Sequence, residues 1–204
     1  MKIIDLTMSI DAKTPVFPGD PKQEIKQVAT IRDNGWNEKW LLFNSHFGTH
    51  IDAPYHMLEN AKKLDDFPME KFIGRLVVID VLDQKNIKSD LNGVKENDIV
   101  FFRTDHTKKA YDKNFFTTNP VIDPYTANAA IQKKVKIIGI DSWTPDNEPY
   151  EVHKMLFKKD ILIIENLVNL DKVKNGKFMC YVMPLKIKDA DGAPCRVIAV
   201  QNND

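Results

Sequence analysis

Short apolar runs punctuate the chain, and most of them are continuous rather than alternating. Leu76–Val81, Ile99–Phe102, Val135–Ile140, Ile161–Ile164, Lys177–Met183 and Val197–Val200 are rich in Val, Ile or Phe, which predicts strands. A continuous run suits a strand buried on both faces, so the expected sheet is covered by helices or by another sheet. Helical spacing is rarer. Asp123-Pro124 supplies an N-cap and a proline for the first helical position, which predicts a helix over Tyr125–Lys134 carrying Ala127, Ala130 and Ile131. Val152, Met155 and Leu156 predict a second helix over Pro149–Lys159. Pro18-Gly19 fits the centre of a type II turn, with proline setting φ and glycine taking the left-handed position. Helices interspersed among more numerous strands predict one α/β or α+β domain over residues 1–204, with a mixed sheet.

Composition narrows the function classes. A chain of 204 residues that is 43% hydrophobic and 28% charged can bury a core without disulfide staples. Lys plus Arg and Asp plus Glu are each 29, so the net charge is zero. Arg32, Arg75, Arg103 and Arg196 are the only arginines, and no basic run exceeds two residues. A nucleic-acid partner is therefore not expected, because it needs a basic face and forked guanidinium donors. No apolar run approaches the roughly 20 residues that span a bilayer, so no membrane partner is expected either. Met1–Asp5 lacks the apolar stretch of a secretion leader, which leads to an expectation of a cytoplasmic protein. Cys180 and Cys195 form neither a CxxC nor a zinc-knuckle pattern and are expected to be reduced, buried thiols.

The chemistry concentrates in Ser45-His46-Phe47-Gly48-Thr49-His50-Ile51-Asp52-Ala53-Pro54-Tyr55-His56, which holds three of the five histidines and an aspartate. Imidazole and carboxylate are the usual ligands of a borderline divalent ion such as zinc or manganese. In an extended segment His50 and Asp52 point to the same side and can reach one ion. A straight strand would hold His46 about 13 Å from His50. Gly48, between them, can adopt a backbone conformation that bends the chain. The competing reading is a set of hydrogen-bonded imidazoles without an ion. No cysteine lies near the cluster, and a shell containing carboxylate suits an open catalytic site better than a closed structural one.

Ligands from elsewhere are also expected. His153 falls in the second predicted helix. Glu165 ends the apolar run from Ile161, where its carboxylate either meets a cation or reaches solvent. His106, in the polar stretch Asp105–Lys109, reads as a surface residue. Phe17, Trp36, Trp40 and Trp143 are candidates for the walls of an aromatic pocket, with core packing the favoured alternative for each.

The pattern His46-x-Gly48-Thr49-His50-x-Asp52-x-Pro54-x-His56 resembles the HxGTHxDxPxH signature of the metal-dependent cyclase-like hydrolases, the group of bacterial kynurenine formamidase and isatin hydrolase. Every fixed position is present. The resemblance extends to Ile4-Asp5-Leu6-Thr7, Phe17-Pro18-Gly19-Asp20-Pro21 and Gly139-Ile140-Asp141, and to the placement of His153 and Glu165. It implies a swivelling β/β/α domain and one or two divalent ions per subunit, zinc ahead of manganese. His46, His50 and Asp52 would hold the first ion, and Asp52 would bridge to a second held by His153 and Glu165. His56 would be the catalytic acid/base. The implied activity is hydrolysis of a small-molecule amide, N-formylkynurenine or a similar formamide, by a homodimer or homotetramer. Opening of an isatin-like cyclic amide is the second reading, and metal binding without turnover a third. Ser142-Trp143-Thr144-Pro145-Asp146 departs from the family, where formamidases more often show a Thr-Pro-Ser-like stretch. Trp143 is expected to reshape the substrate pocket.

Overall fold

Alternating side chains of the central strands enter two different apolar layers. Ile99 and Phe101 belong to one layer, while Val100 and Phe102 belong to the other. Such a strand has no face for water, which is why its sequence shows no polar alternation. The chain was described by a computed structural model covering residues 1–173 and 176–202. Its strands are β1 (Lys2–Asp5), β2 (Glu24–Ala29), β3 (Glu38–Leu42), β4 (His50–Asp52), β5 (Ile73–Asp80), β6 (Asn86–Ile87), β7 (Ile99–Arg103), β8 (Val121–Ile122), β9 (Ile137–Ile140), β10 (Leu162–Glu165), β11 (Phe178–Pro184) and β12 (Gly192–Gln201). The α-helices are α1 (Ile31–Asn34), α2 (Pro124–Gln132) and α3 (Glu151–Phe157).

The main sheet runs β1-β12-β11-β5-β7-β9-β10-β4, and a further pairing of β12 with β4 closes it into a barrel. Strands β5, β7, β9 and β10 are mutually parallel, and the other ladders of this sheet are antiparallel. This is the mixed α/β architecture expected from the sequence. One apolar layer is built around Ile51, Phe101, Leu162, Ile164 and Val197. The second lies between the parallel strands and α2 and α3, around Phe102, Ile138, Ile163, Ala130 and Leu156. The β2–β3 ladder forms a separate two-stranded sheet.

Local signals are realised as predicted. Asp123 caps α2 by accepting the Tyr125 N–H at 2.8 Å, with Pro124 at the helix start. The Pro18-Gly19 turn closes with the Asp20 N–H donating to Phe17 O at 3.1 Å, and Gly19 has φ +105°. Helix α3 is shorter than its apolar spacing suggests, because Tyr150 takes a left-handed conformation (φ 60°) and delays the helix to Glu151. Cys180 and Cys195 are free and buried. No helix of the described residues is long and apolar enough to cross a membrane.

Candidate metal centre

Two carboxylates and two imidazoles meet where β4, β10 and α3 converge. His50 and Asp52 lie two apart on β4, so both face the same side. The antiparallel register places Glu165 opposite His50. His153, on α3, completes the group. His50 Nε2 lies 3.4 Å from Asp52 Oδ1 and 3.3 Å from Glu165 Oε2. His153 Nε2 lies 3.4 Å from Glu165 Oε1 and 4.0 Å from Asp52 Oδ2. All four residues are buried.

The other ring nitrogens are already committed. His50 Nδ1 donates to Gly48 O at 2.9 Å. His153 Nδ1 donates to the Asp146 carboxylate, which also accepts the Val152 N–H at 2.7 Å. Each ring therefore presents Nε2 to the cluster, the orientation found in metal-ligating histidines. His50 Nε2 is buried and has no hydrogen-bond partner among the described residues. Ligands about 2.1 Å from one tetrahedral ion stand about 3.4 Å apart. The spacing and the orphaned nitrogen both fit an ion between these groups.

The remaining signature residues are explained by the backbone around β4. Gly48 has φ +62°, and a Cβ there would come within 2.6 Å of Ile10 Cγ2. That bend returns His46 to His50, with ring centroids 5.1 Å apart. Thr49 fastens the bend: its hydroxyl donates to Asn166 O at 2.6 Å and accepts the Met8 N–H at 2.8 Å. Pro54 starts the short 3-10 turn that carries His56. The His56 ring stacks obliquely on His46 at 4.0 Å. His46 Nδ1 lies 2.7 Å from Asp52 Oδ1, and its Nε2 lies 2.8 Å from Asp191 Oδ2.

Electrostatics favour positive charge here. Burial opposes protonation of His46, yet Asp52 and Asp191 raise its pKa to about 10. Burial likewise opposes charge on His153, and Asp146 and Glu165 outweigh it, giving about 9. Burial of Asp52 is more than offset by the His50 and His46 charges, which hold it well below the usual carboxylate range. Buried carboxylates must be paired or bound to a cation. Protons on imidazole, or a divalent ion, meet that need.

The cluster opens into a cavity of about 600 Å³ with an aromatic wall. Phe17 stacks on Trp143 at 5.1 Å, and Phe116 meets both rings edge-on at 5.8 and 5.6 Å.

The sequence model of the Cyclase family matches residues 4–147. The chain belongs to the Cyclase family. A family relative, the kynurenine formamidase of Bacillus anthracis, is 31% identical over 207 residues, covering 97% of this chain and 96% of the relative. The structure is similar to that of isatin hydrolase A from Labrenzia aggregata bound to benzyl benzoate, with a TM-score of 0.87, 25% identity, and 98% and 94% of the two chains covered. It is also similar to a potential metal-dependent hydrolase with cyclase activity, with a TM-score of 0.84, 27% identity, and 100% and 99% covered.

Within this Cyclase-family chain, His46, His50, Asp52, His153 and Glu165 come together, and His56 borders the same cavity. Three expectations need correction. His106 is buried, not on the surface: its Nε2 donates to Phe115 O at 2.8 Å and its ring stacks on Phe115 at 4.9 Å. Asp105, at φ 60°, turns the chain so that a polar stretch sends its imidazole inward, where it braces the Phe115-Phe116 segment. Trp36 and Trp40 are 58% and 56% exposed and belong neither to the core nor to the cavity wall. They stand on or beside β3, whose ladder with β2 is separate from the main sheet, so neither apolar layer of the described residues covers them.

Asp146, Asp191, Phe115 and Phe116 were not singled out by the sequence. A carboxylate seven residues before His153 was the available hint for Asp146. Asp191 has no local signal, since it reaches His46 across 145 positions.

Proposed function

We propose that this protein is a metal-dependent hydrolase of a carbon–nitrogen bond outside the peptide class, acting on an aryl formamide such as N-formylkynurenine. The observation that carries the reading is the orphaned His50 Nε2, facing two buried carboxylate oxygens at 3.3 and 3.4 Å beside an aromatic-walled cavity. His46, His50 and Asp52 hold one divalent ion, and Asp52, His153 and Glu165 hold a second, with zinc favoured over manganese. A divalent ion at this position supplies Lewis acidity, bringing the pKa of bound water from 15.7 toward about 7 and polarising a carbonyl oxygen.

The chain's own residues do the rest. His56 accepts a proton from the attacking water and returns it to the departing nitrogen, a pair of tasks that suits imidazole near neutral pH. Phe17, Phe116 and Trp143 hold the aryl ring by stacking and edge contacts. The Gly48 O–His50 Nδ1 and Asp146–His153 Nδ1 hydrogen bonds keep both Nε2 atoms turned into the cluster, where they would meet the ions. The protein acts in the cytoplasm as a homodimer or homotetramer. Exposed Trp36, Trp40, Leu41 and Leu42 on the β2–β3 arm support self-association.

Opening of an isatin-like lactam is the second reading, favoured by the similarity to isatin hydrolase A. Metal analysis of the purified protein, followed by a panel of aryl formamides, lactams and esters with and without chelator, tests both. Chelator-sensitive turnover of formamides is the expected result. Preferential lactam opening would replace it with the second reading, and bound metal without turnover would leave a binding protein.

A further inference from the structure

We infer that Asp191 is the positioning residue of His56: its carboxylate takes the His56 Nδ1–H and leaves Nε2 as the nitrogen that exchanges protons with the substrate. The inference rests on the reading of His56 as the acid/base and adds to it the tautomer and the residue that sets it.

Asp191 reaches the site through the barrel closure. Gly192, its neighbour, pairs with Asp52 in the β12–β4 ladder. The Asp191 carbonyl accepts the Ala53 N–H at 2.8 Å, which locks this backbone to the segment leading into His56. Gly192 admits the close approach, since a Cβ there would lie 2.8 Å from Ile51 O and 3.0 Å from His46 Cε1. The carboxylate is thus delivered between His46 and His56 by main-chain contacts on both sides.

One oxygen faces three donor groups. Asp191 Oδ2 lies 2.8 Å from His46 Nε2, 3.3 Å from Ser45 Oγ and 3.6 Å from His56 Nδ1. The last contact is beyond a hydrogen bond, and a shift of about 0.7 Å closes it. Catalytic contacts of this kind commonly tighten when substrate binds. An ionised carboxylate only accepts, so an imidazole nitrogen facing it must carry the proton. The neutral ring then has its lone pair on Nε2, and the imidazolium formed after proton uptake keeps a counter-charge at Nδ1. His56 lines the cavity, where that Nε2 is needed.

Asp191→Asn and Asp191→Glu test this by three readouts on the metal-loaded protein. Because Asp191 also holds His46 Nε2, Asp191→Asn is assayed with metal added to saturation; kcat on formanilide then falls about 10- to 100-fold, and KM stays within about threefold. Asp191→Glu recovers at least about tenfold of the lost kcat. Long-range ¹H–¹⁵N spectra of histidine-labelled, zinc-loaded protein show His56 protonated on Nδ1 in the wild type, and that pattern is lost in Asp191→Asn. An unchanged His56 pattern in metal-saturated Asp191→Asn, or a wild-type kcat once metal is in excess, overturns the assignment. The spectra do not depend on turnover. A wild type inactive on formamides with a tautomer that still follows Asp191 sinks the formamidase reading alone, and the opposite result sinks this assignment alone.

Discussion

Asp146 and His153 are joined twice, once through the ring and once through the backbone. The carboxylate accepts the His153 Nδ1–H, and its Oδ2 accepts the His153 backbone N–H at 3.2 Å and the Val152 N–H at 2.7 Å. One aspartate thereby caps the first turn of α3 and fixes the direction of the imidazole that faces Glu165. Asp146→Asn is expected to keep the helix cap but weaken metal binding about 10- to 100-fold, as loss of such outer partners does. Competition with a chromophoric chelator measures it, and an unchanged affinity would show that the ring is oriented by packing alone.

Asp52 faces His46, His50 and His153 at once. If it bridges two ions, Asp52→Ala loses both. Elemental analysis of the purified variant should find under a tenth of the wild-type metal, on the order of the affinity lost with a carboxylate ligand. Retention of one full equivalent would refute the bridge.

His56 is partly open to the cavity, with its ring centroid 4.0 Å from that of His46 and 6.4 Å from that of His153. His56→Ala is expected to lower kcat at least about a hundredfold while metal content is unchanged. The hydrolysis assay and metal analysis on one sample decide the point, since loss of metal would make His56 a ligand.

Gly48 combines a left-handed φ of +62° with a Cβ position 2.6 Å from Ile10 Cγ2. Gly48→Ala is expected to cost about 2 to 4 kcal/mol, from backbone strain and overpacking together. Urea denaturation of the metal-free protein reads the cost without the ions contributing. A change under about 0.5 kcal/mol would mean that the bend is not held by this residue.

The ions themselves should stabilise the fold. Removing a ligand present at a hundred times its dissociation constant costs about 2.7 kcal/mol. Chelation is therefore expected to lower the melting temperature, and readdition of zinc or manganese to restore it. An identical melt in chelator and in excess metal would argue against a resident ion.

Much of the scaffold was legible because its causes are local. The runs at Ile99–Phe102 and Ile161–Ile164 have no polar alternation, since both faces of those strands meet apolar layers. Asp123-Pro124 announced α2 because a cap and a fixed proline φ act within one turn. The aromatic stretches were less readable. Trp143 and Trp40 are the same residue type with the same hydropathy, yet one lines the cavity and the other is exposed. His106 looked like surface because its neighbours are polar, whereas its burial is set by the contact with Phe115, nine residues on.

By itself, the order of residues determined the directions of His50 and Asp52, because strand geometry puts i and i+2 on one side whatever surrounds them. It also permitted the bend at Gly48, whose φ of +62° carries no side-chain penalty. Tertiary structure decided which groups those side chains meet. Glu165 stands opposite His50 only through the β10–β4 register, and Asp191 reaches His46 only because β12 closes the sheet against β4. Register and closure are settled by burial of whole strand faces across long sequence separations, and no short window of sequence carries that information.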